Sequence, residues 1–299
     1  MVGPLIGIYR EYSPPGVMAR EIRALFTFRI QDDGIRATPP AGRIIREILF
    51  GSGDPAWSAL FALAEASIVV NFGNSYRIRG VWEPSRAQPH VIGPMTKAHV
   101  STYGETLVQV GAYLNPGATE VVLGVRGREL ADSVVPLEDL WDAAVVAELH
   151  QPGEDAALVA ALERAIAGRM ETRARVPGIV LGTSGLIRAR HGCVNLDAIA
   201  MEHGVSRQYL AREFREHLGV SPKLYARLAR FGHLLQRTGP DWAGIAEQCG
   251  YADQSHMIAE FREFSGLTPA RFSRGPYFHP FQRGQERSRR CCQAQPDGE

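Results

Sequence analysis

The sequence predicts an α+β chain: an N-terminal β-barrel or jelly-roll-like domain, a helical linker, and an all-α C-terminal domain with two helix-turn-helix units. Three observations predict it. Short β-rich runs broken by Gly and Pro fill the stretch from about Tyr9 to Leu114. The spacing turns helical from Gly117, and a segment near the C-terminus occurs twice. At 299 residues and 45% hydrophobic content, the chain can form two or three domains, each able to bury a core. The boundaries read as 1–130 for the β-rich domain, 131–187 for the helical linker and hinge, 188–275 for the repeated part and 276–299 for a disordered tail.

In chain order, the β-rich runs are Ala24–Ile30, Ser67–Phe72, Tyr76–Trp82, His90–Gly93, His99–Tyr103 and Thr106–Leu114. Their spacing predicts a barrel or jelly-roll sandwich. Helices are expected over Ala118–Val125, Pro136–His150 and Glu154–Arg173. The last puts Leu158, Leu162, Ala165, Ile166 and Met170 on one face. That stripe fits packing against its own barrel or a dimer seam, and it is too short for a coiled coil. Val176–Arg190 reads as a Gly-containing hinge.

The repeat aligns Ser206–Tyr225 with Asp253–Phe272. At an offset of 47 residues the identities are Glu213/Glu260, Phe214/Phe261, Arg215/Arg262, Glu216/Glu263, Gly219/Gly266 and Pro222/Pro269. Upstream the offset is 46 and pairs Ile199/Ile245, Ala200/Ala246 and Gly204/Gly250, so the second turn is one residue longer. Each copy reads as a short helix, a glycine turn and a second helix opened by a capping residue. In the first copy Leu196, Ile199, Ala200 and His203 share a face, and Leu210, Phe214 and Leu218 form an inward stripe at i, i+4, i+8. The second copy has Ile245, Ala246 and Cys249, then Met257, Phe261 and Phe264 or Ser265. One such corner occurs in many helical proteins; two with the same internal punctuation are far more specific.

The stretch from about Asn195 to Arg274 resembles the DNA-binding domain of the AraC/XylS family of bacterial transcription regulators. The matching residues are Ala200–Gly204, Ser206, Leu210, Phe214 and Gly219–Pro222. In the second half they are Ile245–Tyr251, Gln254–His256, Phe261–Arg262, Gly266 and Thr268–Pro269. The resemblance implies that a long helix, here Pro222–Arg237, joins the two units. About 16 residues at 1.5 Å each span roughly 24 Å, and successive major-groove faces lie about 34 Å apart. With the helix diameters added, one chain can set two recognition helices into adjacent grooves of an asymmetric site. The Phe214-to-Phe261 separation is about three residues shorter than the resemblance implies, nearly one turn. A weaker resemblance to family members with an N-terminal sensing or dimerising barrel rests on Ile68–Gly73, Ile92–Met95, Asn115–Ala118 and Val135–Trp141.

The resemblance implies roles for the outward faces. Base-edge readers in the first recognition helix are Gln208, Ala211 and Arg212, with Arg207 and Tyr209 nearby. In the second they are Gln254, Ser255, His256 and Ile258, with Ala259 beside them. Arg suits guanine and Gln adenine, whereas apolar Ile258 departs from the family pattern and suits a thymine methyl. For the second helix a merely solvated face is an equal alternative. Candidate phosphate partners are Ser206 and Asp253 at helix N-termini, with Arg215, Lys223, Arg262, Arg271 and Arg274; Arg215 and Arg262 also suit ion pairs with neighbouring glutamates. The implied partner is double-stranded DNA. A small-molecule effector in the N-terminal domain, a homodimer and contact with RNA polymerase stay open.

The remaining chemistry is sparse. The chain holds 33 Lys+Arg against 32 Asp+Glu, but residues 188–299 carry 16 basic and 12 acidic side chains, a mild bias that suits phosphate contact. No cofactor is expected, and His90, His99 and Glu105 lack the spacing of a metal site. Phosphate-binding glycine loops and a nucleophile elbow are absent, so Ser101 and Tyr103 read as ordinary strand residues. The alternatives are a barrel enzyme or a DNA alkyl-repair protein that docks through the helical part, but the second lacks supporting cysteines. Cys249 reads as a small buried side chain, Cys193 precedes the first unit, and Cys291 and Cys292 lie in the polar tail. No signal peptide or span of 18 apolar residues is visible; the expectation is a soluble cytoplasmic protein.

Overall fold

A computed structural model describes residues 6–31, 45–49, 57–73, 77–102, 107–170, 176–235, 237 and 242–274. The strands are β1 (Ile6–Tyr12), β2 (Ile22–Gln31), β3 (Ile45–Leu49), β4 (Trp57–Leu60), β5 (Ser67–Gly73), β6 (Arg77–Ile78), β7 (His90–Ile92), β8 (His99–Thr102), β9 (Leu107–Leu114) and β10 (Val134–Pro136). Seven form one sheet in the order β10-β7-β5-β9-β2-β1-β3; the other three form a small sheet, β4-β8-β6. The strand pairs are antiparallel. The pleat sends alternate residues to opposite faces. Leu25, Ile68, Val70, Val110 and Ala112 point one way, and Ala24, Phe26, Phe28, Val69 and Tyr113 the other. The second face packs on Ile78 and Trp82 of the small-sheet side. At Gly111 the two strands' contents leave no room for a side chain: a Cβ would stand 2.4 Å from the Phe26 ring.

The first face is covered by helices α1 (Ala118–Leu123), α2 (Gly127–Leu130), α3 (Ala143–Leu149) and α4 (Asp155–Arg169). Leu158, Leu162 and Ile166 enter the same core as Leu25 and Val110, so the α4 stripe is packing within its own domain. Leu162 and Ile166 are fully buried, a transfer worth about 1.5–3 kcal/mol for each side chain. The first residue of α4 is anchored as well. Asp155 accepts from Arg29 Nε (2.5 Å) and Thr27 Oγ1 (3.0 Å) and pairs with Arg10. Burial alone would raise the Asp155 pKa, but these donors outweigh it and hold it below the usual carboxylate value.

The C-terminal part is all helix: α5 (Gly178–Ala189), α6 (Leu196–Glu202), α7 (Arg207–Leu218), α8 (Pro222–Leu235), α9 (Trp242–Gln248), α10 (Gln254–Ser265) and α11 (Pro269–Arg274). It has two cores. Val180, Ile187, Ala200, Leu210, Phe214, Leu218 and Tyr225 form the first. In the second, Phe231 meets Phe261 and Phe264 with ring centroids 5.4 and 5.5 Å apart, and Ala246, Cys249 and Met257 close around them. Helix α8 supplies residues to both cores and so fixes one unit against the other.

Four expectations need correction. Val176–Arg190 is no hinge, because Gly178–Ala189 is helix. Burial of Val180, Thr183, Ser184 and Ile187 holds the segment helical despite its glycines. Pro136–His150 is not one helix: Val134–Pro136 is an edge strand, where proline is tolerated, and α3 starts only after Asp142 caps it. His203 is exposed rather than inward, because α6 ends at Glu202 and His203 is its C-cap. Helix α8 ends at Leu235, so its 14 residues span about 21 Å. The tail after residue 274, with Cys291 and Cys292, and the side chain of Arg274 lie outside the described residues, as do Tyr103 and Glu105.

Candidate nucleic-acid interface

Each recognition helix is built by the same local devices. Ser206 is extended (φ −78, ψ 155) and its hydroxyl accepts the Tyr209 N–H at 3.1 Å. Asp253 does the same for the His256 N–H at 2.7 Å. Before each cap the chain reverses at a glycine in the left-handed region, Gly204 at φ +64 and Gly250 at φ +71, a backbone state that other residues enter at a cost. Helix α6 has its own cap, which the sequence reading missed. Asn195 Oδ1 accepts from the N–H groups of Asp197 and Ala198, each at 3.0 Å, and its signal was the Asn immediately before Leu196.

The inward stripes are as expected: Leu210, Phe214 and Leu218 in α7, and Met257, Phe261, Phe264 and Ser265 in α10, are buried. This leaves the opposite faces to solvent. Arg207, Gln208 and Arg212 are exposed, and Tyr209 and Ala211 half-buried. Arg207 pairs with Asp197 of the preceding helix at 2.9 Å. Arg212 reaches Glu213 at 3.0 Å and sits over the Tyr209 ring at 5.1 Å, so its guanidinium is already held outward. On α10, Gln254, Ser255, His256 and Ala259 are exposed. His256 packs edge-on against Tyr251 at 5.5 Å. Ile258 is half-buried against the second core, which leaves less of it for a base.

The phosphate candidates flank these faces. Arg215, Lys223, Arg262 and Arg271 are exposed. The neighbouring glutamates are engaged elsewhere: Glu213 with Arg212 and His217, Glu216 with Arg126 and Arg128, and both Glu260 and Glu263 with Arg227. Arg227 on α8 donates to Glu260 at 2.7 Å and Glu263 at 2.5 Å. The Glu260 side chain is 1% exposed, so this buried carboxylate is paired, as burial of charge requires. Nothing in the sequence linked these groups, which stand more than 30 residues apart.

The other candidates fall elsewhere. His90 is core: its Nδ1 lies 3.0 Å from the Gln88 carbonyl, it packs on Trp82, and burial lowers its pKa to about 4. Ser101 is buried in β8. Cys249 is buried beside the Gly250 turn, and burial pushes its thiol up. Cys193 lies against the same turn, with its Sγ 3.9 Å from the Cys249 carbonyl. Among the described residues no cluster of three His, Cys, Asp or Glu side chains could hold a metal ion, and no helix is long and apolar enough to cross a membrane.

The helical pairs at Leu196–Leu218 and Trp242–Ser265, each turned by a glycine and capped by Ser or Asp, define a double helix-turn-helix domain. Residues 199–275 match the helix-turn-helix domain family. Over 85 residues the chain is 33% identical to the HTH-type transcriptional activator RhaS of Escherichia fergusonii, covering 27% of this chain and 31% of that protein. Over 79 residues it is 34% identical to the HTH-type transcriptional regulator GbdR of Pseudomonas aeruginosa, covering 25% and 22%. The chain thus spans a third or less of the length of these curated relatives. ToxT from Vibrio cholerae aligns over 73% of this chain and 96% of its own, at 12% identity and a TM-score of 0.45. The C-terminal part of the chain is an AraC-type helix-turn-helix domain.

Proposed function

We propose that the protein is a sequence-specific, non-catalytic transcription regulator that sets α7 and α10 into successive major grooves of one DNA site. The observation that carries this reading is the pair of equivalent recognition helices, both held by α8, with polar faces open to solvent. Arg207, Gln208, Tyr209, Ala211 and Arg212 read base edges in one groove; Gln254, Ser255 and His256 do so in the next, with a smaller part for Ile258. Arg215, Lys223, Arg262, Arg271 and Arg274 bind phosphates, together with the N-termini at Ser206 and Asp253. The N-terminal domain supplies control, through a small molecule or a second copy of the chain, and contact with RNA polymerase suits an activator. Such a protein works in the cytoplasm, where bacterial DNA lies.

The test is a gel-mobility shift of the full chain with DNA from upstream of its own gene. A shifted complex is expected that outlasts unrelated competitor DNA and weakens steeply with salt, by about 0.9 logarithmic units per phosphate contact for each tenfold rise. Equal competition by unrelated DNA defeats the reading.

A further inference from the structure

Phe61 stands in the short link between β4 and β5 of the N-terminal domain, yet it belongs to neither core of the large sheet. Its side chain is 3% exposed and lies inside the second helical core. There it meets Phe231 edge-on, with centroids 6.2 Å apart, and Phe272 at 5.9 Å. Phe231 in turn touches Phe261 and Phe264, the inward rings of α10. Ala62 follows into the same core and is buried. Its N–H donates to the Phe264 carbonyl at 2.9 Å, and the Ala98 N–H reaches the Glu263 carbonyl at 3.5 Å. Carbonyls in the last turn of a helix have no partner within it, so amides of the N-terminal domain complete the end of α10.

The link is pinned on its other side. Leu63 and Met95 exchange backbone hydrogen bonds at 2.9 and 2.8 Å, and Leu60 pairs with His99 across the small sheet. Phe61 is therefore held by the N-terminal domain while its ring fills the second unit. The first unit is built otherwise. Among the described residues, the buried members of its core come from the helical part, Val180 through Ala226, and the N-terminal domain adds only the half-buried Ala64. An aromatic side chain buries about 150–250 Å², and a close-packed core transmits the displacement of one ring to its neighbours. The angle of α10 thus depends on a ring from outside the helical part, and that of α7 does not.

We infer that Phe61 is a positioning residue for DNA reading: the N-terminal domain contributes this ring to the second unit, and α10 takes its reading pose only with the ring seated. The inference rests on the regulator reading and divides it between the units. The second half-site is read by both domains jointly, and the first by a unit whose core the helical part completes alone.

The experiment is hydrogen exchange of the full chain, natural and Phe61→Ala, run beside hydroxyl-radical footprints on DNA from upstream of its own gene. Without DNA, Phe61→Ala should cost α9 and α10 about a hundredfold or more in amide protection, as befits loss of a buried aromatic ring, while α6 and α7 keep theirs. On DNA, the footprint of the second unit should fade, and the half-site whose bases respond to Arg212→Ala should stay protected. Phe61→Leu keeps an apolar body in place, so it should show the same pattern at much smaller amplitude. It decides the matter if the alanine variant fails to fold. Equal loosening of both units, undiminished protection of α10, or a footprint that fades evenly over both halves overturns the inference. Failure of the natural protein to bind DNA sinks the regulator reading instead, and the exchange pattern still shows whether the ring holds α10.

Discussion

Arg212 and Lys223 show how two cations of one domain differ in what they can do. Arg212 is splayed outward from the middle of α7, steadied by Glu213 at 3.0 Å and by the Tyr209 ring at 5.1 Å. A guanidinium so prepared loses less freedom on pairing with a guanine edge, a contact worth about 1–3 kcal/mol of discrimination. Lys223 sits exposed in the first turn of α8, and in the proposed complex it lies off the base-reading helices and faces phosphate alone. Arg212→Ala should therefore flatten the preference at one base position, with modest loss on unrelated DNA. Lys223→Ala should weaken every sequence alike and lower the salt slope by about 1. Competition assays with an operator substituted base by base separate the two. If preference survives Arg212→Ala unchanged, the assignment of this residue fails even with the fold intact.

At the scale of elements, the repeat shows which signals are local. Ser206 and Asp253 were legible as caps, and Gly204 and Gly250 as turns, because each acts within four residues of its place in the chain. The inward stripes were legible because a helix shows its period directly. What escaped was decided at long range. Val176–Arg190 looked like a hinge until burial of Val180 and Ile187 against the first unit made it a helix. The partner of Glu260 is Arg227, 33 residues away, with no local signature. The N-terminal β-rich character was readable, but the pairing of β1 with both β2 and β3 was not. Ser206→Ala and Asp253→Ala should each cost about 1 kcal/mol, whereas Asp253→Asn, which keeps an acceptor, should cost little. Thermal melts measure the loss, and hydrogen exchange should place it in the first turns of α7 and α10. Alanine variants that melt like the natural protein would remove the caps from the account.

Across the whole molecule, the N-terminal domain seats on the same place in both units, the C-terminal end of each recognition helix. At α7, Gly127 of α2 lies so close that a Cβ there would stand 2.5 Å from the His217 carbonyl. Around it Arg126 and Arg128 pair with Glu216, and Glu120 meets Arg126 at 3.0 Å and His217 at 3.4 Å. At α10, the Ala62 N–H donates to the Phe264 carbonyl at 2.9 Å. The residues proposed to read bases, 207–212 and 254–258, lie toward the other ends of the two helices, so under that proposal the domains can stay docked on DNA. The α7 seat is held largely by ion pairs whose arginines, Arg126 and Arg128, are exposed, which makes it sensitive to solution conditions. The Arg126 guanidinium beside Glu216 holds its carboxyl below the usual carboxylate range. A depressed carboxylate pKa adds stability above the unfolded value, here 4.5, and that stability is lost as pH falls through the folded one. Glu216→Gln should thus melt below the natural protein at neutral pH and low salt. The gap should close as pH is taken well under 4.5, and shrink at about 1 M salt, where the screening length falls to about 3 Å. Paired melting curves across pH and salt test this, and a gap indifferent to both would mean that Glu216 acts through packing rather than through its charge on the seat.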